Sequence, residues 1–312
     1  MPTMTRITLP EVELNICNKN NAVEVPILES VIATSGASPN IIRHITFDLS
    51  GTPLEGKFFA GQSIGILPPG TDEKGKPNAM RLYSISSPSR GEDGAGRHHS
   101  TTVKRVIGEH WETQQLFTGL CSNYLSSLRA GDRVKVAGPS GKRFLLPENM
   151  HDFNYVFFAT GTGIAPFRGM IMDLMQAGYK GKIALIFGSP YRTDLLYERY
   201  FRGLAAENPG FHYLPTISRE DPRADGSRPY VQCQLIDRAD LLDPILRQEN
   251  TLIYICGLKG METGIIKGLI TQNHTDYLQL RGTADPSALL SASSEEFKKS
   301  LKPGDRMFLE VY

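Results

Sequence analysis

Between Val25 and about Gly138 the chain runs in short stretches in which apolar and polar residues alternate: PILESVIATS, IIRHITFDLS, QSIGIL, RLYSIS, STTVKRVI and DRVKVAG. A period of two puts one side of each stretch in a core and the other in water, the pattern of a strand. Gly and Pro punctuate the stretches, so the expectation is an antiparallel barrel or sandwich. One helix interrupts the strands, SNYLSSLRAG from Ser122, with Gly131 as its stop signal. The segment SRGEDGAGRHH, Ser89 to His99, has the composition of a solvated loop. Residues 1–22 are polar and aperiodic, end in NKNN, and read as a flexible arm.

After Pro147 the rhythm changes. YVFFAT, KIALIFG, FHYLPTIS and TLIYICG are largely apolar, and helical patterns separate them: PFRGMIMDLMQAG, then regions around Leu195–Leu204 and Leu235–Arg247, then one after Lys259. Apolar strands alternating with helices predict a parallel sheet covered on both faces. MFLEVY supplies a last strand. The expected organisation is an arm over 1–22, an antiparallel β-barrel domain over 23–150 and an α/β domain with a parallel sheet over 151–312.

Composition narrows the partners. The 312 residues carry 34 Lys+Arg and 33 Asp+Glu, a net charge of +1, which argues against binding nucleic acid by bulk charge. The four cysteines, Cys17, Cys121, Cys233 and Cys256, form no CxxC pair, so a cluster or zinc site is not expected. Their scatter does not resemble a disulfide framework and points to a reducing compartment. No apolar run approaches the roughly 18 residues of a membrane span, and the N-terminus lacks an apolar signal core. The expected location is cytoplasmic, or the plastid stroma if a presequence has been removed.

Six motifs carry candidate chemistry. RLYSISSPS puts Arg81, Tyr83 and Ser84 on one strand; a guanidinium fork suits a diphosphate and a phenol offers a stacking face, although a surface Arg on an ordinary strand reads equally well. GLCSNYL places Cys121 and Ser122 at a helix start, where free N–H groups can receive a phosphate or Ser122 can act as a plain N-cap. TGTGIAPFRG sets Thr160, Gly161, Thr162 and Gly163 between an apolar strand and a helix, the setting of a pyrophosphate loop, with Pro166 where GxGxxG has its third glycine. ISRED and SRPYVQ offer Ser218, Arg219, Arg228, Tyr230 and Gln232, a set suited to the 2′-phosphate and adenine of NADP, or separately to solvated charges. YICGLKGME ends a buried strand at Cys256, either a ligand position or a core cysteine. Glu310-Val311-Tyr312 closes the chain, where an aromatic residue is usually frayed.

Taken together and in this order, the motifs resemble the plant-type ferredoxin–NADP reductase family. The resemblance runs from about Val25 to Tyr312 through GTDEKGKPNAMRLYSIS, VKRVI, GLCSNYL, GPSGK, ATGTGIAPFR, SREDP, YVQ, YICGLKGME and LEVY. It implies an FAD-binding antiparallel barrel followed by an NADP-binding α/β domain. It also implies electron transfer between a one-electron iron–sulfur carrier (ferredoxin, or flavodoxin in its place) and NADP(H), with hydride exchanged at flavin N5. A reductase dedicated to an oxygenase or other redox partner is the alternative; a non-enzymatic NADP(H) sensor fits the residues less well.

The resemblance implies roles residue by residue. Arg81 holds the FAD diphosphate, with Cys121, Ser122 and Lys104 on the same cofactor; Tyr83 stacks on the flavin and Ser84 bonds near N5. Tyr312 covers the opposite flavin face, and Cys256 and Glu310 flank the nicotinamide. Thr160, Thr162 and Gly163 line the pyrophosphate path, and Ser218, Arg219, Arg228, Tyr230 and Gln232 hold the 2′-phosphate end. Acidic ferredoxin is expected to dock near Lys74, Lys76, Arg81, Lys142 and Arg143. There are two departures. Gly108 stands where the family has an aromatic residue stacked on the FAD adenine; Trp111 or His110 substitutes for it, or the adenine is more exposed. Arg228 replaces the family's lysine.

Overall fold

The computed structural model describes residues 5–110, 112–281, 286–292, 297 and 299–312. The chain divides into two compact units. One comprises Leu9–Glu148 together with Ala165–Gly178; the other comprises the segment ending at Thr8, Asn149–Ile164 and Tyr179–Tyr312.

The first unit contains β1 (Val23–Ile32), β2 (Ile42–Asp48), β3 (Ser63–Leu67), β4 (Arg81–Ser84) and β5 (His98–Lys104). A short hairpin follows, β6 (Ile107–Glu109) and β7 (Leu116–Thr118), then α1 (Leu120–Ser127) and β8 (Arg133–Ser140). Among the described residues one sheet has the order β4-β3-β8-β1-β2-β5, with antiparallel pairing throughout. Alternation works as expected: Ile45, Phe47, Ile64, Ile66, Val134 and Val136 are buried together with Phe58, Ile85 and Leu125, each such side chain contributing about 1.5–3 kcal/mol. Cys17, in the segment before β1, is buried and bridges Gly138.

Two local expectations are corrected. α1 stops at Ser127, short of Gly131. Beyond it, Asp132 Oδ2 accepts from the Arg129 N–H at 2.7 Å within a local turn, and the Gly131 N–H donates to the Ile27 carbonyl of β1 at 2.9 Å. The segment Ser89–His99 is only partly solvated, since Gly91, Gly96 and His99 are buried and Glu92 points inward to an ion pair with Arg168.

The second unit begins its sheet with β9 (Asn154–Thr160). A turn at Gly161–Gly163 leads into α2 (Ile164–Gln176), which from Ala165 belongs to the first unit. Then come β10 (Ile183–Ser189), α3 (Glu198–Glu207), β11 (Phe211–Ile217), α4 (Gln234–Asp237), α5 (Ala239–Leu246), β12 (Thr251–Gly257), α6 (Met261–Thr271), the pair β13 (Leu278–Leu280) and β14 (Leu301–Pro303), and β15 (Met307–Val311). The helical region expected around Leu235–Arg247 is two helices, because the Arg238 backbone leaves the helical region between them. α3 starts later than the hydrophobic pattern suggests, after Tyr197 in the left-handed region.

The sheet order is β11-β10-β9-β12-β15, all parallel. β10 and β12 are buried along their whole length, as strands covered on both faces must be. Strand order reverses between β9 and β12. In an open parallel sheet, the crevice beyond the carboxyl ends of that pair is where ligands bind.

Candidate functional site

In the first unit, Tyr83 gathers the polar groups of β4. Its hydroxyl lies beside the Cys121 thiol, and the Arg81 guanidinium lies close enough to bias both. Burial raises the pKa of both the phenol and the thiol, so both stay protonated at neutral pH. Arg81 is exposed and Ser84 half-buried; the Ser84 carbonyl accepts from Thr101 Oγ1 at 2.8 Å. Ser122 is buried at the start of α1 but does not cap it. Its hydroxyl donates to the Gly119 carbonyl at 3.1 Å and accepts from the Val106 N–H at 3.3 Å. No side chain caps the start of α1, which leaves first-turn N–H groups for an outside acceptor. Lys104 closes β5, exposed and opposite Ile42.

Just past the end of β4 lies a polar group, largely buried, that no spacing in the sequence announces. Arg168 of α2 donates to Glu92 Oε1 at 2.6 Å, to Glu92 Oε2 at 3.2 Å and to the Ser86 carbonyl at 2.8 Å. Ser100 Oγ donates to Glu92 at 2.6 Å and pairs with Ser86 Oγ at 2.8 Å. Ser87 Oγ meets His99 Nδ1 at 2.9 Å. One step on, Ser89 is held by Asp173, its N–H donating to Oδ1 at 2.9 Å. Burial works against the charge on Glu92, but Arg168, Ser100 and His44 outweigh it and keep the carboxyl below its usual range. Burial brings His44 down to about 4, with Arg168 adding to it and Glu92 opposing, and burial brings His99 down to about 4. Both imidazoles are therefore neutral. A lone Glu in a glycine-rich loop and a lone Arg on a helix look like surface charges in the sequence; only the fold pairs them.

In the second unit, the ends of β9 and β12 touch through backbone. A Cβ on Gly163 would sit 2.2 Å from the Cys256 carbonyl oxygen, and one on Gly257 would sit 2.2 Å from Thr160 Oγ1. Thr160 Oγ1 accepts from the Leu258 N–H at 3.0 Å. Gly163 and Thr160 thus close the sheet at this point. Gly161 has φ of +53° and open space where a Cβ would stand. Cys256 pairs with Glu310 in the β12–β15 register and is fully buried; burial, and then Glu310, push its thiol well up, so it stays neutral.

Tyr312 is not frayed. Its N–H donates to the Gly257 carbonyl at 3.0 Å and its carbonyl accepts from the Lys259 N–H at 2.9 Å. Its hydroxyl meets Thr162 Oγ1 at 2.8 Å, while the residue as a whole remains 57% exposed.

The remaining predicted residues follow β11 and precede α4. Ser218 donates its N–H to the Ser189 carbonyl at 2.9 Å. Arg219 reaches the Tyr191 hydroxyl at 3.1 Å, with its guanidinium over that ring. The acids nearby are engaged: Asp221 by Arg192, and Asp237 by Arg223. Arg228 and Tyr230 are exposed, and the Gln232 side chain packs at Gly264 of α6.

A parallel sheet whose strand order reverses beside a glycine turn is the architecture of a nucleotide-binding domain, and the comparisons give its class. Residues 157–267 match the model of the oxidoreductase NAD-binding domain. The chain is 37% identical to the ferredoxin–NADP reductase of Picosynechococcus sp., over all of this chain and 76% of that protein. It is 38% identical to that of Spirulina sp., over 87% of this chain and 88% of the relative. Identity to the chloroplastic leaf isozyme 1 of Arabidopsis thaliana is 34%, over 89% and 74%. The fold matches the solved ferredoxin-NADP+ reductase of Plasmodium falciparum with a TM-score of 0.71 at 24% identity, over 96% of this chain and 99% of the other. The chain belongs to the ferredoxin–NADP reductase family.

The first unit fits FAD. A diphosphate needs a guanidinium and free N–H groups, and Arg81 stands by Cys121 at the uncapped start of α1. Tyr83, half-buried beside the same thiol, offers an aromatic ring. The sequence expectation that falls on Trp111 lies outside the described residues.

Proposed function

We propose that this protein is an FAD-containing ferredoxin–NADP reductase that passes electrons between an acidic iron–sulfur carrier, or flavodoxin, and NADP(H). The observation that carries this reading is the reversal point of the parallel sheet, where Thr160, Thr162, Cys256, Glu310 and the anchored Tyr312 meet in a chain of this family. FAD, when bound, supplies the junction between one-electron and two-electron chemistry.

The chain's own residues bind and orient. Arg81 and the first turn of α1 hold the diphosphate, with Lys104 as a further cation on the same unit. Tyr83 presents a flat face and Ser84 a hydroxyl to the ring. Gly161 and Thr162 admit the NADP pyrophosphate. Arg219 and Arg228 carry the charge that selects a 2′-phosphate, with Ser218 and Gln232 as hydrogen-bonding partners and Tyr230 as an adenine platform. Neutral Cys256 shapes the nicotinamide site without introducing a competing thiolate, and Glu310 beside it is the site's proton-exchanging group. Tyr312 occupies the nicotinamide position and must swing aside to admit it.

Lys74, Lys76, Lys142 and Arg143 are exposed on the first unit and give ferredoxin a cationic landing face despite the near-zero net charge. No helix among the described residues is long and apolar enough to cross a membrane, and we place the protein in the cytoplasm or the plastid stroma.

The deciding experiment is an absorbance spectrum followed by anaerobic titration. The expected protein is yellow, is bleached by NADPH, and recovers its colour when oxidised ferredoxin is added. A colourless preparation that takes up no added FAD overturns the reading.

A further inference from the structure

The hairpin β6–β7 departs from the family pattern at Gly108, and the structure shows what fills that space. Gly108 faces Phe117 across the two strands. A Cβ built on Gly108 would lie 2.5 Å from Phe117 Cζ and 2.6 Å from Cε1. The Phe117 ring therefore occupies the volume that a side chain at position 108 would take. His110 backs this ring, with centroids 4.9 Å apart. Phe117 is nevertheless 41% exposed, and its neighbours Ile107 and Leu116 are 55% and 77% exposed. Alternation puts Ile107 and Leu116 on the other face of the hairpin, so among the described residues of these two strands Phe117 is the apolar side chain that the Gly108 face exposes.

The hairpin is also fixed beside the diphosphate residues. The Gly119 N–H donates to the Val106 carbonyl at 3.0 Å, and Asn123 Nδ2 donates to the same carbonyl at 2.7 Å. These bonds tie the base of β6 to the uncapped first turn of α1, so the hairpin face is the surface next along from that turn.

We infer that Phe117 is the platform for the FAD adenine in this protein, reaching from the opposite strand into the place left by Gly108. The inference rests on the FAD reading above. Gly108 is then not a loss but a requirement: two rings cannot share one space, and glycine lets the cross-strand ring lie flat over the backbone.

The test compares flavins with and without adenine. Released flavin is followed by fluorescence on diluting the holoprotein, and the flavin-free protein is reconstituted with FAD or with FMN. Base-on-aromatic stacking predicts that Phe117→Ala raises the dissociation constant for FAD about tenfold and leaves that for FMN unchanged. Phe117→Leu, which keeps apolar bulk without an aromatic face, guards against a folding defect and should behave likewise. Gly108→Tyr alone should weaken FAD, and the double variant Gly108→Tyr/Phe117→Ala should recover it. FAD and FMN affinities that fall together, or an FAD affinity that does not fall, overturn the assignment. A double variant no better than Phe117→Ala overturns the shared space. A wild-type protein that takes neither flavin is a different result and condemns the FAD reading itself.

Discussion

In the antiparallel unit, the strand that presents Arg81, Tyr83 and Ser84 runs on into a polar group: Ser86, Ser87, His99, Ser100, Glu92 and Arg168 are linked by hydrogen bonds just past its end. In the parallel unit, β9 and β12 are apolar up to their ends, and the candidate residues appear only where the strands stop. The first arrangement fixes side chains through a shared set of hydrogen bonds, so a change at one residue is felt by the others. The second fixes backbone by close packing, and the site is what the sheet leaves at its edge. Each should fail in its own way: the antiparallel unit by charge and proton changes, the parallel unit by added volume.

Acid should separate the two most strongly. His44 and His99 are neutral in the fold with pKa values of about 4, against about 6.5 in an unfolded chain. The unfolded state therefore binds the extra protons as pH falls through 6.5, and stability drains until the folded histidines protonate near pH 4. Together they remove stability on the order of a few kcal/mol over that window. Amide hydrogen exchange between pH 7 and 4 should show the antiparallel unit opening first; equal acid sensitivity of both units would remove the contrast.

Arg168→Ala comes next, at about 3–5 kcal/mol, because it strands Glu92 where burial already opposes its charge. Denaturant unfolding measures it. Arg168→Lys should recover part of the loss, since it keeps the charge but not the fork.

In the parallel unit, Gly163→Ala should cost about 1–3 kcal/mol by overpacking against the Cys256 carbonyl, without the pH dependence of the other unit. Gly161→Ala meets open space and bears only the strain of a left-handed backbone, about 1 kcal/mol. A thermal melt of both variants at two pH values checks the order.

The smallest effect belongs to Tyr312→Ser. Removing a ring that competes by stacking is worth about 0.5–1.5 kcal/mol, so nicotinamide should bind several-fold tighter and the preference for NADP over NAD should relax. Steady-state kinetics with both nucleotides measure this, and unchanged NAD kinetics would count against a gating ring.

The outcome at particular residues shows where reading the sequence stops. Period-two stretches and apolar runs were sufficient for both sheets, because burial on one face or on two leaves its mark on every residue of a strand. The family motifs were legible because a diphosphate or a pyrophosphate constrains residues that are neighbours in the chain. Gly131 is not the helix stop: α1 ends at Ser127, and the Gly131 N–H goes to the Ile27 carbonyl of β1, a long-range bond that no local signal encodes.

Gly108 was visible as a gap, but Phe117, on the paired strand, was not visible as its filler. Arg168 and Glu92 stand 76 residues apart and make one ion pair. By itself the sequence determined the two rhythms, the order of the motifs and the family. The tertiary structure alone decided which distant side chains share a space or a proton, because those energies depend on distance and burial rather than on position along the chain.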